Sequence, residues 1–134
     1  KILRSESTNY AIQGEICGPD IQRNIYGFPE HRLFVFKITN TDNGRVLTHK
    51  DMVAFCARHN LQTVPVLAED IPLPKTLKKI LDDCQGNSVF KHQTTGKKVM
   101  REGVVWKSVT DPTLSFKAKS RTYAAWFESK NETE

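Results

Sequence analysis

The sequence predicts an α+β fold of mostly antiparallel strands with two or three helices, on three observations. Leu77, Ile80, Leu81 and Cys84 recur at i, i+3, i+4 and i+7, the spacing of one helix face. Short β-rich runs around Leu33, Val35 and Phe36, and again at Val104, Val105 and Trp106, are bounded by turn-forming residues. Asn43-Gly44, between Ile38 and Val46, is a strong hairpin signal because both residues accept the left-handed backbone of a tight turn. Strands and helices in such a mixture, without an internal repeat, give one α+β domain over residues 1–134.

Taken in order, Tyr10 to Cys17 reads as a strand that delivers Glu15 and ends at the Gly18-Pro19-Asp20 turn. Residues 32–39 form a second, buried strand, and the Asn43-Gly44 turn leads into Arg45-Val46-Leu47. Thr48 is a helix N-cap with Asp51 three residues on; Met52, Phe55, Cys56 and His59 make the apolar side, and Asn60 the stop. Leu61 to Leu67 reads as an extended segment interrupted by Pro65, and Ile71-Pro72-Leu73-Pro74 as a linker. The helix from Leu77 is closed by Gly86 as an αL cap. Residues 87–98 are polar and basic, with Gly96-Lys97-Lys98 expected as a mobile loop. Strands near 99–107 and 113–119 precede a last helix carrying Tyr123, Trp126 and Phe127.

A hydrophobic content of 38% with 26% charged residues is that of an ordinary globular protein. The net charge of +5 suits a polyanionic partner, although a basic surface alone accounts for it equally well. Cys17, Cys56 and Cys84 are odd in number and lack Cys-x-x-Cys spacing, which points to free thiols in a reducing, cytoplasmic setting rather than a disulfide framework or zinc site. No apolar run approaches the ~20 residues of a membrane span, so no membrane partner is expected. The four histidines show no ligand spacing, and no Ser/His/Asp or Cys/His grouping emerges.

Chemistry concentrates in Arg101-Glu102-Gly103-Val104-Val105-Trp106-Lys107 and in Lys117-Ala118-Lys119. Strand alternation puts Glu102, Val104 and Trp106 on one face and Gly103, Val105 and Lys107 on the other, and sets Lys117 beside Lys119. Adjacent ammonium groups repel, a cost a fold accepts more readily when an anion lies between them. A carboxylate in basic surroundings is a usual way to hold a divalent cation next to a phosphate. The pattern reads as a nucleotide phosphate site.

Glu-Gly-Val-Val-Trp-Lys from Glu102 and Phe-Lys-Ala-Lys from Phe116 resemble the fourth and fifth motifs of the covalent nucleotidyltransferases, which include polynucleotide ligases and mRNA-capping enzymes. Gln13-Gly14-Glu15 through Gly18-Pro19-Asp20-Ile21-Gln22-Arg23-Asn24 resembles the third motif of ATP-dependent RNA ligases, followed by the aromatic strand Leu33–Ile38. Order and spacing agree over residues 9–128. The family's first motif, Lys-x-Asp/Asn-Gly, supplies the nucleophilic lysine and occurs nowhere here; Asp42-Asn43-Gly44 lacks the lysine, and the chain opens Lys1-Ile2-Leu3-Arg4-Ser5. The expectation is therefore the C-terminal part of an adenylation domain, unable to adenylate itself in isolation.

The resemblance implies a parent RNA ligase that forms lysyl-AMP from ATP with Mg²⁺ or Mn²⁺, passes AMP to an RNA 5′-phosphate and seals it to a 3′-hydroxyl. It implies ribose or metal-water contacts for Glu15, adenine stacking for Phe36 with Phe34 as rival, metal binding for Glu102, and phosphate contacts for Lys107, Lys117 and Lys119. Lys37 stands where many relatives carry aspartate. ATP, RNA ends and the remainder of the ligase chain are the implied partners. A DNA ligase or other nucleotidyltransferase, or a non-catalytic nucleotide- or RNA-binding module, are the alternatives.

Overall fold

The computed structural model describes residues 6–132; Lys1–Ser5, which hold the chain's opening lysine, lie outside them. Strands β1 (Tyr10–Cys17) and β2 (Arg32–Asn40) pair antiparallel; β3 (Arg45–Val46) and β4 (Gln62–Thr63) both pair with β2, β4 in parallel. The extended segment expected over 61–67 is reduced to β4. Val64 N–H still donates to Val35 O at 3.0 Å, but Pro65 has no N–H to continue the ladder.

Helix α1 (His49–Arg58) starts where expected, with Thr48 Oγ1 accepting the Asp51 N–H at 3.2 Å. Its Met52, Phe55 and Cys56 pack on Val35 and Ile38 of β2 to form the main core, lined by Tyr10, Ile12, Leu47 and Leu61. Val35 and Ile38 are three residues apart, yet both reach this face. The register explains it: Gln13 opposes Lys37 and Gly14 opposes Val35, so Phe36 is an extra residue, a β-bulge that shifts the alternation by one. Gly14 is needed opposite the bulge, since a Cβ there would lie 2.5 Å from Phe34 O.

On the other face, Phe34 meets Phe28 and Phe90 with ring centroids 5.8 and 5.1 Å away, and Tyr26 completes the cluster. The β1–β2 connection that delivers Phe28 carries positive φ at Asp20, Gln22, Arg23 and Asn24, of 62°, 43°, 60° and 48°. Such backbone costs about 1–2 kcal/mol per non-glycine residue. The Asn24 side chain holds it by bonding both Phe28 N–H and Phe28 O, at 3.0 and 2.9 Å.

Residues 87–91, given no element by their polarity, form a strand; Gly96 and Lys97 lie in the turn that follows, and Lys98, expected in the loop, opens the next strand. The two strands form a hairpin of β5 (Asn87–Lys91) and β6 (Lys98–Met100), closed by His92 N–H to Lys97 O at 2.9 Å. Phe90 anchors it in the aromatic cluster, a tertiary contact with no periodic signature in the sequence. The strand expected over 99–107 is likewise two strands in two sheets. Arg101 separates them, its guanidinium bonding Asp83 O and Asn87 O at 3.3 and 3.1 Å.

Helix α2 (Leu77–Asp83) is capped by Thr76, but Leu77 is 71% exposed and the buried anchor is Cys84. Gly86 beyond it takes φ 127°, open to glycine though wider than the αL cap expected. Strands β7 (Gly103–Lys107) and β8 (Ser115–Lys119) form a third antiparallel sheet, and α3 (Arg121–Glu132) follows, with buried Ser120 accepting the Tyr123 N–H at 3.2 Å. The α+β class with mostly antiparallel pairing holds. No helix among the described residues is long and apolar enough to cross a membrane.

Candidate functional site

Residues opposite one another in an antiparallel pair share a face. In the β7–β8 hairpin Gly103 opposes Lys119, Val105 opposes Lys117 and Lys107 opposes Ser115, so all three lysines project from one side. The close approach is fixed by Gly103, where a Cβ would stand 2.3 Å from Ala118 O. Gly103→Ala should therefore lower stability by about 1–3 kcal/mol, the usual range for forced overpacking, as read by denaturant unfolding. An unchanged midpoint would show that the two strands can part freely, and with them Lys119.

Alternation would put Glu102 on the face opposite these lysines; the structure does not. The strand begins at Gly103, and Glu102 precedes it, tied by its carbonyl to Ser120 N–H at 2.8 Å. Released from the pleat, its carboxylate reaches Lys117 Nζ at 2.9 Å, both side chains about two-fifths exposed. So exposed a pair contributes under ~1 kcal/mol to stability, and its consequence is to fix where the Lys117 ammonium stands. Lys119 makes no side-chain hydrogen bond or ion pair with a described residue, and borders a groove with Leu77, Lys78 and Arg121.

Lys107 ties this hairpin to the large sheet by donating from Nζ to Phe36 O at 2.9 Å. The bulge explains why that carbonyl is available: as the extra residue, Phe36 is unpaired in the ladder. Burial, and then the Lys37 ammonium nearby, hold the Lys107 pKa below the ordinary lysine value. A lysine depressed in this way releases its proton earlier folded than unfolded, so it adds stability as pH rises toward the ordinary value. Bound phosphate would act oppositely, favouring the charged form.

Phe34 and Phe36 are now separated. Phe34 is 4% exposed and committed to the aromatic cluster, whereas Phe36 is half-buried and stacks on no other described ring. Glu15 is exposed on β1, opposite Phe34, and contacts none of the lysines directly. Two tyrosines that sequence reasoning did not assign to the site border it. Burial chiefly raises the Tyr26 pKa, opposed by a hydrogen bond with Ser88 and reinforced by Cys17 and Glu102. Tyr123 is pushed up to about 12 by burial, then by Glu102 and Tyr26. Cys17 is itself raised by burial and by Glu15. Raised in this way, the Cys17 thiol and both phenols stay protonated at neutral pH. No spacing in the sequence signals these two tyrosines, because one lies in the loop after β1 and the other on α3.

Among the described residues no three His, Cys, Asp or Glu side chains converge on a metal position. Glu102 and Glu15, which share no contact, each offer a hard cation only a partial donor set. Such an ion would draw its remaining oxygens from phosphates and water, the habit of magnesium.

A sequence profile of the RNA ligase family matches residues 1–121. No curated protein sequence gives a significant match. Among solved structures, the chain is similar to an alanine variant of Naegleria gruberi RNA ligase with ATP and manganese, at 30% identity and a TM-score of 0.83 over 95% of this chain and 36% of that one. It is similar to the same organism's RNA ligase with pyrophosphate at 30% identity and a TM-score of 0.82, covering 95% and 37%. A methionine variant with AMP and manganese gives 32% and 0.79, covering 96% and 36%. The chain thus spans little more than a third of the ligases it matches.

Proposed function

We propose, from the premise that this chain belongs to the RNA ligase family, that it is the C-terminal part of an ATP-dependent RNA ligase's adenylation domain. The parent enzyme transfers AMP from ATP to its own lysine, then to an RNA 5′-phosphate, and seals that end to a 3′-hydroxyl. The observation that carries this reading is the placement of Lys107, Lys117 and Lys119 on one hairpin face, docked through Lys107 onto Phe36.

Each contact follows from its chemistry. The half-buried, unstacked Phe36 receives the adenine ring, as base–aromatic stacking supplies about 1–3 kcal/mol for any base. Exposed Glu15 accepts hydrogen bonds from ribose hydroxyls or from metal-bound water. Lys117, held by Glu102, and Lys119, which has no ion pair with a described residue, flank the α-phosphate, with Lys107 behind them. In self-adenylation a lysine amine supplied by the rest of the parent chain attacks the α-phosphorus, its N–P bond forming as the bond to pyrophosphate breaks. The fixed ammoniums offset the charge that develops on the departing pyrophosphate and lower the attacking lysine's pKa, favouring its neutral form. Magnesium or manganese, held by Glu102 and by Glu15 through water, would neutralise phosphate charge.

An intracellular, cytoplasmic location belongs to the same reading, and the free state of Cys17, Cys56 and Cys84 supports it. The test compares the complete ligase with the present chain. With labelled ATP and magnesium the former should form an acid-stable enzyme–AMP and seal nicked RNA in preference to DNA; the latter should form no adduct. Preferential sealing of DNA would make it a DNA ligase, and a complete protein that forms no adduct would be a binding module.

A further inference from the structure

A second groove, of about 440 Å³, lies between the β5–β6 hairpin and α3. Its floor is apolar, from Ile25, Val99, Met100 and the indole of Trp126; its rim carries Lys97 and Lys98. None of its lining side chains is acidic. Lys97 and Lys98 make no ion pair with a described residue. The hairpin also sets Lys91 directly opposite Lys98. Like charges facing each other across strands are destabilising, and a shared anion relieves that cost. The hairpin is therefore an exposed arm of concentrated positive charge beside an aromatic floor.

The groove also adjoins the nucleotide site. Trp126 lies 5.7 Å from Tyr123, ring centroid to centroid; the Tyr123 N–H donates to Ser120 Oγ, and the Ser120 N–H to Glu102 O at 2.8 Å.

Resting on the RNA ligase reading, we propose that this groove binds a nucleotide of the RNA strand being joined, its base against Trp126 and its phosphates on Lys97 and Lys98. An aromatic platform with flanking cations is how single strands are held without sequence preference, because every base has a π-face and every nucleotide a phosphate.

The complete ligase tests this with a fluorescent 5′-phosphorylated single-stranded RNA, read by anisotropy over a series of salt concentrations. Replacing both rim lysines (Lys97→Ala with Lys98→Ala) should weaken binding about tenfold and flatten the log–log salt dependence by about 1.4, two lost phosphate contacts. Trp126→Leu keeps an apolar side chain but removes the platform and should cost about tenfold, with Trp126→Tyr recovering most of it. Formation of enzyme–AMP should be unchanged in all three, since none of these residues is among those assigned to ATP. RNA affinity and salt slope unaltered by the lysine pair would overturn the groove assignment, whatever the adenylation result. Absence of enzyme–AMP in the unmodified ligase would instead count against the RNA ligase reading.

Discussion

Lys119→Ala in the complete ligase should lower enzyme–AMP formation by about a hundred- to thousandfold, the range seen when one preorganised donor to a developing charge is removed. Lys119 is the clearest place to look, because its side chain has no described partner to be orphaned. It is an exposed strand residue on the face shared with Lys117 and Lys107, so its truncation should change stability by less than about 0.5 kcal/mol. Lys50→Ala, on the exposed side of α1 and across the large sheet, removes the same charge from a helix whose buried face serves only the core. It should leave adenylation intact. Equal losses from the two would mean that net charge alone matters and that the hairpin lysines have no special place. Single-turnover transfer of labelled AMP separates these outcomes.

The second large effect is expected at Glu102. Glu102→Gln keeps size and most hydrogen bonding but removes the charge, and adenylation should fall about a hundredfold, equivalent to about 2.7 kcal/mol on the transition state. The 2.9 Å contact with Lys117 gives this carboxylate two ways to act, by placing Lys117 or by holding a cation. They are separable. If Glu102 acts through a cation, raising magnesium should recover part of the loss, and Glu102→Gln should still cost activity in a Lys117→Ala background. If it acts only by placing Lys117, the second substitution should cost nothing beyond the first, the mark of two residues working as one unit. Glu69→Gln is the control. That carboxylate is exposed and 3.4 Å from His49, an arrangement contributing below ~1 kcal/mol. Near-normal adenylation and sealing by Glu102→Gln would remove the metal role from the site.

The sequence by itself determined what depends on near neighbours. Helix α1 with its Thr48 cap, the strands at 10–17 and 32–39, and the shared face of Lys117 and Lys119 all follow from period, capping chemistry and alternation within a few residues. The order of its motifs sufficed to mark the family. Tertiary structure decided the rest, because the deciding partners lie far away in sequence. The bulge at Phe36 exists so that Val35 and Ile38 can both reach α1, and it leaves the Phe36 carbonyl for Lys107, 71 residues on. Phe90 makes a hairpin of a polar stretch only because Phe28 and Phe34 wait for it. Glu102 left the face assigned by alternation because Arg101, bound to carbonyls at Asp83 and Asn87, ends one strand before the next begins. A period of two describes a continuous strand, and it cannot register a break imposed by another element's carbonyls. For the same reason Tyr26 and Tyr123, whose pKa values burial and then Glu102 raise, had no local signature to give them away.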